Sequence, residues 1–399
     1  MTRLRLGIPA MGLVTPLGSG KAAVAEKLFA GTRSGLATEM KVLPDRLTHV
    51  GAVTARLPGL PSGMERYEAR NNRLMLLALH EIADEIDAAR RRYGAHRIAI
   101  ILGTSTSGIS DGETAFAQRH PDGAWPQGFD YRQQELGGLG KFVAAVLRLK
   151  GPAYTIATAC SSSAKVFASA RRLISAGVCD AAIVGGADTI CGTTLNGFAS
   201  LDAMSRGLCN PFSANRDGIN IGEGAAAFLL TREAAEISLL GYGESSDAHH
   251  LSAPDPGGRG AYAAMSSALV DAGLSAADIA YVNLHGTGTP LNDSMEGIAV
   301  QGLFGSDMPC SSTKAMTGHM LGAAGACEAA FLWLTLHSKY GPDTLPPHLW
   351  DGAVDPAIPV LNLIPPGTKL PAGDRLAMIS NSFAFGGNNM ALILGRGDW

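Results

Sequence analysis

The sequence predicts an α/β protein in which helices cover a sheet of buried strands. Residues 97–102 and 180–186 are short, continuous apolar runs, which are typical of strands buried on both faces. A helix, a strand and a Gly/Thr loop follow one another around residues 97–108, and the same order recurs at residues 265–289. A chain of 399 residues is long enough to form two such packed halves. These observations favour two related α/β halves over an array of short repeats.

The first part of the chain shows its elements in a clear order. An apolar strand at residues 5–14 ends in a turn, and a helix at residues 21–30 is ended by a glycine. Residues 34–63 carry Gly and Pro and predict a surface loop. Apolar residues at roughly helical spacing then predict one long helix over residues 71–92. After the strand at 97–102 we expect an irregular stretch at 119–140 and a helix at 141–149.

The rest of the chain repeats this alternation around a cysteine. A β-prone run at residues 154–156 leads to Cys160, and a helix of small residues follows at 164–176. The remaining predicted elements are strands at 180–186, 225–230 and 279–284, helices at 265–272 and 321–337, and a final strand pair at 376–379 and 390–394.

Composition excludes several classes of protein. The net charge is −3 without a long run of one sign, which disfavours nucleic acid as a partner. The six cysteines form no CxxC pair, so we expect no metal site, and their sparseness fits a reducing compartment. Residues 1–9 are too short and broken for a signal peptide, and no apolar run reaches the ~20 residues of a membrane span. We therefore expect a soluble cytoplasmic protein with no membrane partner.

Cys160 is the first candidate for chemistry. A cysteine between a strand and a helix lies where the helix macrodipole favours a thiolate, so the sequence predicts a lowered thiol pKa. The alternative is a buried structural cysteine, which is the interpretation we give the other five. Three further loops, at residues 285–289, 314–319 and 383–388, follow or join predicted strands, and such strand-end loops converge in open α/β sheets. A cysteine beside two histidines has the chemistry of a nucleophile with two hydrogen-bond donors or bases.

Five ordered motifs give the chain a clear resemblance. It resembles the β-ketoacyl-[acyl carrier protein] synthases, elongating condensing enzymes of type II fatty acid or polyketide synthesis with a Cys-His-His site. The motifs lie at residues 158–163, 210–224, 285–293, 311–328 and 381–389. The resemblance implies a thiolase-like fold of two pseudo-duplicated halves in αβαβα layers. It places the nucleophile in residues 1–240 and both histidines in residues 241–399, the two halves forming one structural unit.

The resemblance also implies an acyltransferase mechanism. Cys160 would accept an acyl chain from a phosphopantetheine thioester, with the backbone N–H groups of Cys160 and Phe385 as oxyanion hole. A malonyl-carrier thioester would lose CO2, and neutral His285 and His319 would stabilise the enolate. Attack of the enolate on the acyl-Cys160 thioester would give a β-ketoacyl chain longer by two carbons. No metal or cofactor is implied, because phosphopantetheine arrives on the carrier protein.

The remaining site residues follow from the same motifs. Lys314 would neighbour His319, and Glu328 would be the partner of Lys314, since a buried charge needs one. Asp293 would be a structural residue near the site or a helix cap. The residues expected to bind substrate are Thr287 and Thr289 at the pantetheine arm, Phe385 and Gly386 at a gate to the acyl pocket, and Phe198 in the acyl tunnel.

The expected partners are an acyl carrier protein and a second ketosynthase-like chain. Family members dimerise, so the sequence is compatible with a homodimer or with a heterodimer that includes a chain-length factor. Arg66, Arg70 and Arg73 would share one helix face if the predicted helix begins early. That face is either a docking site for an acidic carrier protein or an ordinary solvated basic surface.

Some residues depart from the pattern of the fatty-acid enzymes. Ala384 stands where the family usually has Gly, Asn388 replaces a common Thr, three serines follow Cys160, and residues 231–243 form a short segment. These departures favour a polyene or polyketide pathway. The alternatives are a non-catalytic chain-length factor, a coenzyme A thiolase and a cysteine hydrolase. A thiolase normally has a second cysteine near its C-terminus, and here no cysteine follows Cys327.

Overall fold

A computed structural model describes residues 4–43 and 46–399. The predicted absence of a leader at residues 1–9 therefore falls partly outside the described residues. Within them the chain forms fifteen strands. These are β1 Leu6–Thr15, β2 Gly18–Ser19, β3 Thr38–Leu43, β4 Arg46–Gly51, β5 Ile98–Gly103, β6 Ala153–Ile156, β7 Ala181–Asp188, β8 Ile221–Gly222, β9 Gly224–Thr231, β10 Ile237–Ser246, β11 Ile279–Asn283, β12 Pro309–Ser311, β13 Asn362–Leu363, β14 Leu376–Ala384 and β15 Asn388–Arg396.

The same residues form eleven α-helices, with short 3-10 turns between some of the elements. The helices are α1 Lys21–Ala30, α2 Arg70–His80, α3 Ala83–Tyr93, α4 Ile109–Ala117, α5 Gly138–Val146, α6 Ser162–Ser175, α7 Gly192–Ser200, α8 Arg259–Ala272, α9 Pro290–Phe304, α10 Lys314–Thr317 and α11 Ala324–Leu336. In the part of the chain that the structure describes, none of the helices is both long and apolar enough to cross a membrane.

The sheet shows that the fold is internally duplicated. Its first half has the strand order β1-β9-β7-β5-β6, and its second half has the order β10-β15-β14-β11-β12. Numbered along the chain, each set of five strands lies in the order 1-5-4-2-3. In each half the fifth strand is antiparallel to both neighbours, and the other pairs are parallel. The predicted α/β fold with two pseudo-duplicated halves is therefore confirmed.

The two halves meet edge to edge and share a buried layer of helices. Strands β1 and β10 pair over a short antiparallel register, with Leu6 opposite Leu239 and Gly7 opposite Ser238. The predicted boundary at residue 240 falls inside β10, and it stays a prediction. Helices α6 and α11 pack in one core with side chains from the strands of both halves. Helix α11 is buried along its whole length, as an apolar helix between two sheets must be.

The outer faces of the two halves are covered separately. One core joins α2, α3 and α5 to the outer side of the first half, and another joins α8 and α9 to the second half. With the shared helix layer this gives the predicted αβαβα sequence of layers. Cys160, His285 and His319 lie in connections between strands and helices around that central layer.

Two predicted elements were wrong. Residues 34–63 are not all loop, because β3 and β4 form a hairpin and β4 also pairs with β8. The helix predicted at residues 71–92 is two helices, α2 and α3, which separate at Glu81. The Glu81 carboxylate accepts hydrogen bonds from the backbone N–H groups of Leu13 (2.9 Å) and Lys21 (3.0 Å). This anchor to the first strand fixes the chain at the turn and explains why one helical pattern gives two helices.

Candidate active site

Cys160 lies on a tight elbow between β6 and α6. The residue before it, Ala159, has a φ of 51°, a left-handed conformation that is costly for a residue with a side chain and is found mainly where the surroundings enforce it. Ser162 supplies that enforcement. Its Oγ accepts the N–H of Thr158 (2.8 Å) and donates to the carbonyl of Ala159 (2.6 Å). The serine therefore closes the elbow that presents Cys160.

Two glycines let α6 approach the sheet closely at this point. A Cβ atom on Gly103 would lie 2.4 Å from the backbone N of Ser163, and one on Gly186 would lie 2.6 Å from the Ser163 Cβ. Neither distance is compatible with a side chain. The ends of β5 and β7 are thus shaped to receive the first turn of α6, with Cys160 just before it.

His319 comes from the second half and reaches the same point. Its backbone is held on both sides, because its N–H donates to the carbonyl of Asn220 (2.7 Å) and its carbonyl accepts the N–H of Gly222 (2.9 Å). Its Nε2 atom lies 2.9 Å from the Sγ atom of Cys160. This is the distance of a direct thiol–imidazole hydrogen bond.

His285 completes the triad from the end of β11. Its ring stands nearly perpendicular to that of His319, with 5.3 Å between ring centroids. One ligating atom from each of Cys160, His285 and His319 lies within 4.8 Å of the others. The three side chains predicted to react are therefore gathered at one buried point.

Glu296 fixes His285, and the sequence analysis did not find it. Its two carboxylate oxygens accept the backbone N–H groups of His285 and Gly286, each at 2.7 Å, and Asn381 donates to the same carboxylate at 3.2 Å. The signal that would have revealed it is its position in α9, one turn after Asp293 on the same face. Two acidic residues one helical turn apart, in a helix that follows a His-Gly loop, are expected to face that loop together.

Lys314 and Glu328 form a buried ion pair behind the histidines. Both residues are about 1% exposed, and Lys314 Nζ donates to Glu328 Oε1. Within the described residues the Nδ1 atom of His319 has no hydrogen-bond partner, so the contact predicted between Lys314 and His319 is electrostatic rather than a hydrogen bond. Each charge compensates the other, as buried charges require.

This environment sets the protonation states of the triad. Burial and the nearby Lys314 cation hold the pKa of His285 and of His319 well below the ordinary value, so both rings are neutral near pH 7. Burial also raises the pKa of the Cys160 thiol to about 11, opposed by the Lys314 charge and by the backbone N–H groups of Phe385 and Cys160. The lowered thiol pKa predicted from the helix start was therefore wrong, because desolvation by burial is the largest influence on this thiol.

Comparison with known proteins agrees with this geometry. Residues 5–236 match the family described as "Beta-ketoacyl synthase, N-terminal domain", and residues 236–348 match "Beta-ketoacyl synthase, C-terminal domain". The chain belongs to the β-ketoacyl synthase family. It is a condensing enzyme of the acyltransferase type that acts in chain elongation.

This ketosynthase is similar in sequence or structure to three known proteins, compared by their identity and coverage. The 3-oxoacyl-[acyl-carrier-protein] synthase 2 of Rhizobium meliloti (strain 1021) is 40% identical over 268 residues, which cover 62% of each chain. A chain of the solved complex between a ketosynthase and its chain length factor from Xenorhabdus doucetiae is 46% identical, with a TM-score of 0.92, over 99% of this chain and 98% of that chain. A chain of the ishigamide ketosynthase/chain length factor is 27% identical, with a TM-score of 0.86, over 100% of both.

Two of the predicted substrate-binding residues of the ketosynthase, Phe198 and Phe385, lie together beside Cys160. The rings of Phe198 and Phe385 are in contact, with 5.5 Å between centroids, and the backbone N–H of Phe385 faces the Cys160 thiol. Gly386 is exposed at the tip of the same loop, with a φ of 85°, and its N–H donates to the carbonyl of Leu251 (2.8 Å). A cavity of about 250 Å3 opens beside Phe385 and is also lined by Thr289.

The loop before α9 is built around Asp293. The Asp293 carboxylate accepts the backbone N–H groups of Phe212 (2.7 Å) and Gly288 (3.2 Å), so it ties the loop after β11 to a neighbouring loop. Thr287 and Thr289 share a hydrogen bond between their Oγ1 atoms (2.9 Å) on this loop. Asp293 binds residues that precede the helix, and the start of α9 has no side-chain cap, so the helix-cap role considered for Asp293 was wrong.

The three arginines do not share one helix face. Helix α2 begins at Arg70, whereas Arg66 lies in a preceding 3-10 turn and is exposed. The Arg70 guanidinium pairs with the nearly buried carboxylate of Glu223, donating from Nε at 3.0 Å, and it also bonds to the Val53 carbonyl. Arg73 pairs with Glu68 at 2.5 Å. Docking by these residues stays a prediction, with Arg66 the least engaged of the three.

The six cysteines are all buried and free. Burial raises the pKa of the thiols of Cys209 and Cys310, to about 11 in the case of Cys209, and that of Cys327 also lies well above its ordinary value. Within the described residues, the cluster of ligand-type side chains close enough to hold a metal ion is the catalytic triad itself.

Proposed function

We propose that this ketosynthase carries out decarboxylative Claisen condensation of a Cys160-bound acyl chain with malonyl-[acyl carrier protein], in a polyene- or polyketide-type pathway. The observation that carries the proposal is the 2.9 Å contact between Cys160 Sγ and His319 Nε2, with neutral His285 beside it. The pathway is supported by likeness to chains from two ketosynthase/chain length factor assemblies. The departures at Ala384 and Asn388 point the same way.

The first half-reaction loads the enzyme. As Cys160 Sγ attacks the acyl thioester, its proton passes to His319 Nε2, and the tetrahedral oxyanion faces the N–H groups of Cys160 and Phe385. Collapse of this intermediate expels the carrier thiol, which takes up the proton. A thiol with a raised pKa is competent here because the imidazole removes its proton only during attack.

The second half-reaction makes the carbon–carbon bond. Malonyl thioester loses CO2, and the electron pair of the broken bond forms an enolate whose oxygen accepts hydrogen bonds from the two neutral histidines. The enolate carbon then attacks the carbonyl of the acyl-Cys160 thioester. The Cys160 thiolate leaves and takes up one proton from solvent, which is the proton that the condensation consumes. The product is a β-ketoacyl chain longer by two carbons.

The pantetheine arm and its carrier protein complete the reaction. We infer that the arm enters through the cavity beside Thr289 and Phe385, because Phe385 lines this cavity and its backbone N–H also faces the Cys160 thiol. Phosphopantetheine is then the one prosthetic group needed, and it is brought by the acyl carrier protein. A location in the cytoplasm, where such carriers operate, also remains a proposal.

A second chain of the same fold is the proposed structural partner. Strand β6 is the terminal strand of the sheet path, and its Tyr154 is partly exposed. Exposed aromatic residues Phe116, Trp125 and Tyr131 lie on the segment that leads toward α5, which packs against β6. A sheet edge beside an aromatic surface favours extension of the sheet by a homologous subunit. Native mass spectrometry with and without a co-expressed homologue would distinguish a homodimer from a heterodimer.

The non-catalytic alternative is not favoured, because the nucleophile and both histidines are present and assembled. Intact mass after incubation with a panel of acyl carrier proteins tests the proposal directly. We expect a mass gain that is absent in Cys160→Ala, and a preference for polyunsaturated over saturated chains. Equal efficiency on both chain types at each length would contradict the polyene pathway. No acylation with any carrier, even with the partner subunit present, would overturn the catalytic role.

A further inference from the structure

Asp188 is a fully buried carboxylate that the mechanism above does not use. It ends β7 and is 0% exposed. Its oxygens accept three backbone N–H groups, from Ser105, Thr106 and Ala323, at 2.9, 2.8 and 3.0 Å. They also accept three hydroxyl groups, from Thr104, Ser105 and Thr106, at 2.6, 2.8 and 2.7 Å. Burial raises the pKa of the Asp188 carboxyl, and the hydrogen bonds from Thr104, Ser105 and Thr106 oppose this shift. Backbone N–H groups can only donate, so the donor set favours the charged form.

These donors come from both halves of the fold. Thr104, Ser105 and Thr106 form the loop after β5 in the first half, whereas Ala323 closes the 3-10 turn Leu321–Ala323 in the second. The Ser105 hydroxyl oxygen also accepts the N–H of Gly322 at 3.0 Å. One carboxylate therefore clamps the second-half turn onto the first half.

The clamped turn directly follows His319. It begins two residues after His319 and leads into α11, which carries Glu328. Leu321 in this turn has a φ of 51°, a strained conformation that persists only where surrounding bonds hold it. The hydrogen bonds from Gly322 and Ala323 to Ser105 and Asp188 are the bonds that do so.

We propose that Asp188 is a positioning residue for condensation, which holds the turn after His319 and thereby keeps His319 Nε2 aligned with Cys160 Sγ. The inference rests on the proposed function. A displacement of about 1 Å at a reacting group can cost on the order of 100-fold in rate. Loss of the clamp should therefore reduce the chemical step without weakening carrier binding.

The carboxylate also has an electrostatic signature. Its charge raises the pKa of the Cys160 thiol, which otherwise faces the Lys314 cation and the neutral rings of His285 and His319. A variant that removes the charge should shift the pH profile of Cys160 alkylation toward lower pH. A purely structural role would not produce that shift.

Asp188→Asn is the direct test, with Asp271→Asn as its matched control. Asn keeps the shape but turns an NH2 donor toward a site that includes backbone N–H groups, which can only donate. Asp271 also joins the halves, because it pairs with Arg171 on α6. This pair is far from the Cys160 elbow, since Arg171 lies nine residues, or about 13 Å, along the helix from Ser162. We expect Asp188→Asn to lower kcat for decarboxylation and condensation by about 100-fold, with KM within about 3-fold, whereas Asp271→Asn changes neither.

Two further measurements keep the test decisive. Ser105→Ala is the milder variant to use if Asp188→Asn does not fold. It removes one hydrogen bond to Asp188 and one from Gly322, and we expect it to lower kcat by about 10-fold. Alkylation of Cys160 needs no carrier and is followed in all variants. An unchanged kcat and an unshifted alkylation profile in Asp188→Asn, beside active wild type, would overturn the inference. Wild type that never acylates would instead contradict the proposed function.

Discussion

Cys160 Sγ and His319 Nε2 lie 2.9 Å apart, although 159 residues separate them in the chain and they belong to different halves of the duplicated fold. The two halves use corresponding places for different purposes. In the first, the connection from β6 to α6 carries the nucleophile. In the second, the connection from β12 to α11 carries Lys314 and His319. The duplication therefore supplies two similar connections, one that carries Cys160 and one that carries Lys314 and His319.

The alkylation of Cys160 should depend on pH as expected for a buried thiol. Because its pKa is raised to about 11, the thiolate fraction should still increase about tenfold for each pH unit between 7 and 10. The rate of reaction with iodoacetamide, followed by intact mass, checks this, and Cys160→Ala identifies the site. A rate that levels off below pH 8 would show that the thiol is activated in the resting enzyme.

The stability of the fold should depend on the presence of both Lys314 and Glu328. Replacing one partner leaves an uncompensated buried charge, so Lys314→Met or Glu328→Gln should each lower the free energy of unfolding by about 3–5 kcal/mol. The double variant should lose clearly less than the sum, and denaturant unfolding of all four proteins measures the coupling. Additive losses would show that the pair contributes no mutual stabilisation.

The same double variant separates stability from electrostatic control. Removing the Lys314 cation removes an interaction that lowers the pKa of the Cys160 thiol and of both histidines. Alkylation of Cys160 at a given pH should therefore be slower in the folded double variant than in wild type. Faster alkylation would contradict the proposed effect of Lys314.

Much of the fold could be predicted from the sequence because its strands are continuous apolar runs. Helix α1 was predicted at its observed bounds, and the duplicated order of helix, strand and loop was visible before the sheet was known. The hairpin of β3 and β4 pairs locally and was missed because the Gly and Pro content of residues 34–63 indicated a loop. The further pairing of β4 with β8 joins residues about 170 positions apart. Local pattern carries no information on such a partner.

The triad and the Lys314–Glu328 pair could be predicted, but Glu296 and Asp188 could not. Cys160, His285 and His319 stand in recognisable motifs, whereas Glu296 and Asp188 acquire their roles only through backbone N–H groups that the fold brings to them. The thiol pKa was predicted in the wrong direction because the sequence shows the helix start and not the depth of burial. Hydrogen-bond acceptors for backbone groups are the part of a site that sequence reveals least.

Glu113 should influence which acyl chains the enzyme accepts. Its carboxylate accepts the N–H groups of Gly192 (2.8 Å) and Thr193 (2.6 Å) at the start of α7, the helix that carries Phe198. Glu113→Ala should loosen this helix start, cost about 1 kcal/mol of stability and broaden the range of chain lengths loaded on Cys160. Mass spectrometry of the acyl-enzyme with a ladder of carriers measures the profile. Phe198→Ala should broaden it further, and an unchanged profile in both variants would exclude α7 as a wall of the acyl pocket.

Carrier docking is best tested at Arg66 alone. Reversal of Arg70 would leave the nearly buried Glu223 facing a second negative charge, so a loss of activity there would report on folding. Arg66 is exposed, and its guanidinium stacks on the Tyr67 ring at 4.8 Å from the centroid. Arg66→Glu should raise KM for acyl carrier protein by about 3- to 10-fold, because each reversed rim charge weakens electrostatic attraction to an acidic partner. Reaction with an acyl-pantetheine mimic should stay unchanged, with Arg90→Glu, an exposed arginine on α3, as the control for net charge. Equal losses for carrier and mimic would place the carrier on another surface.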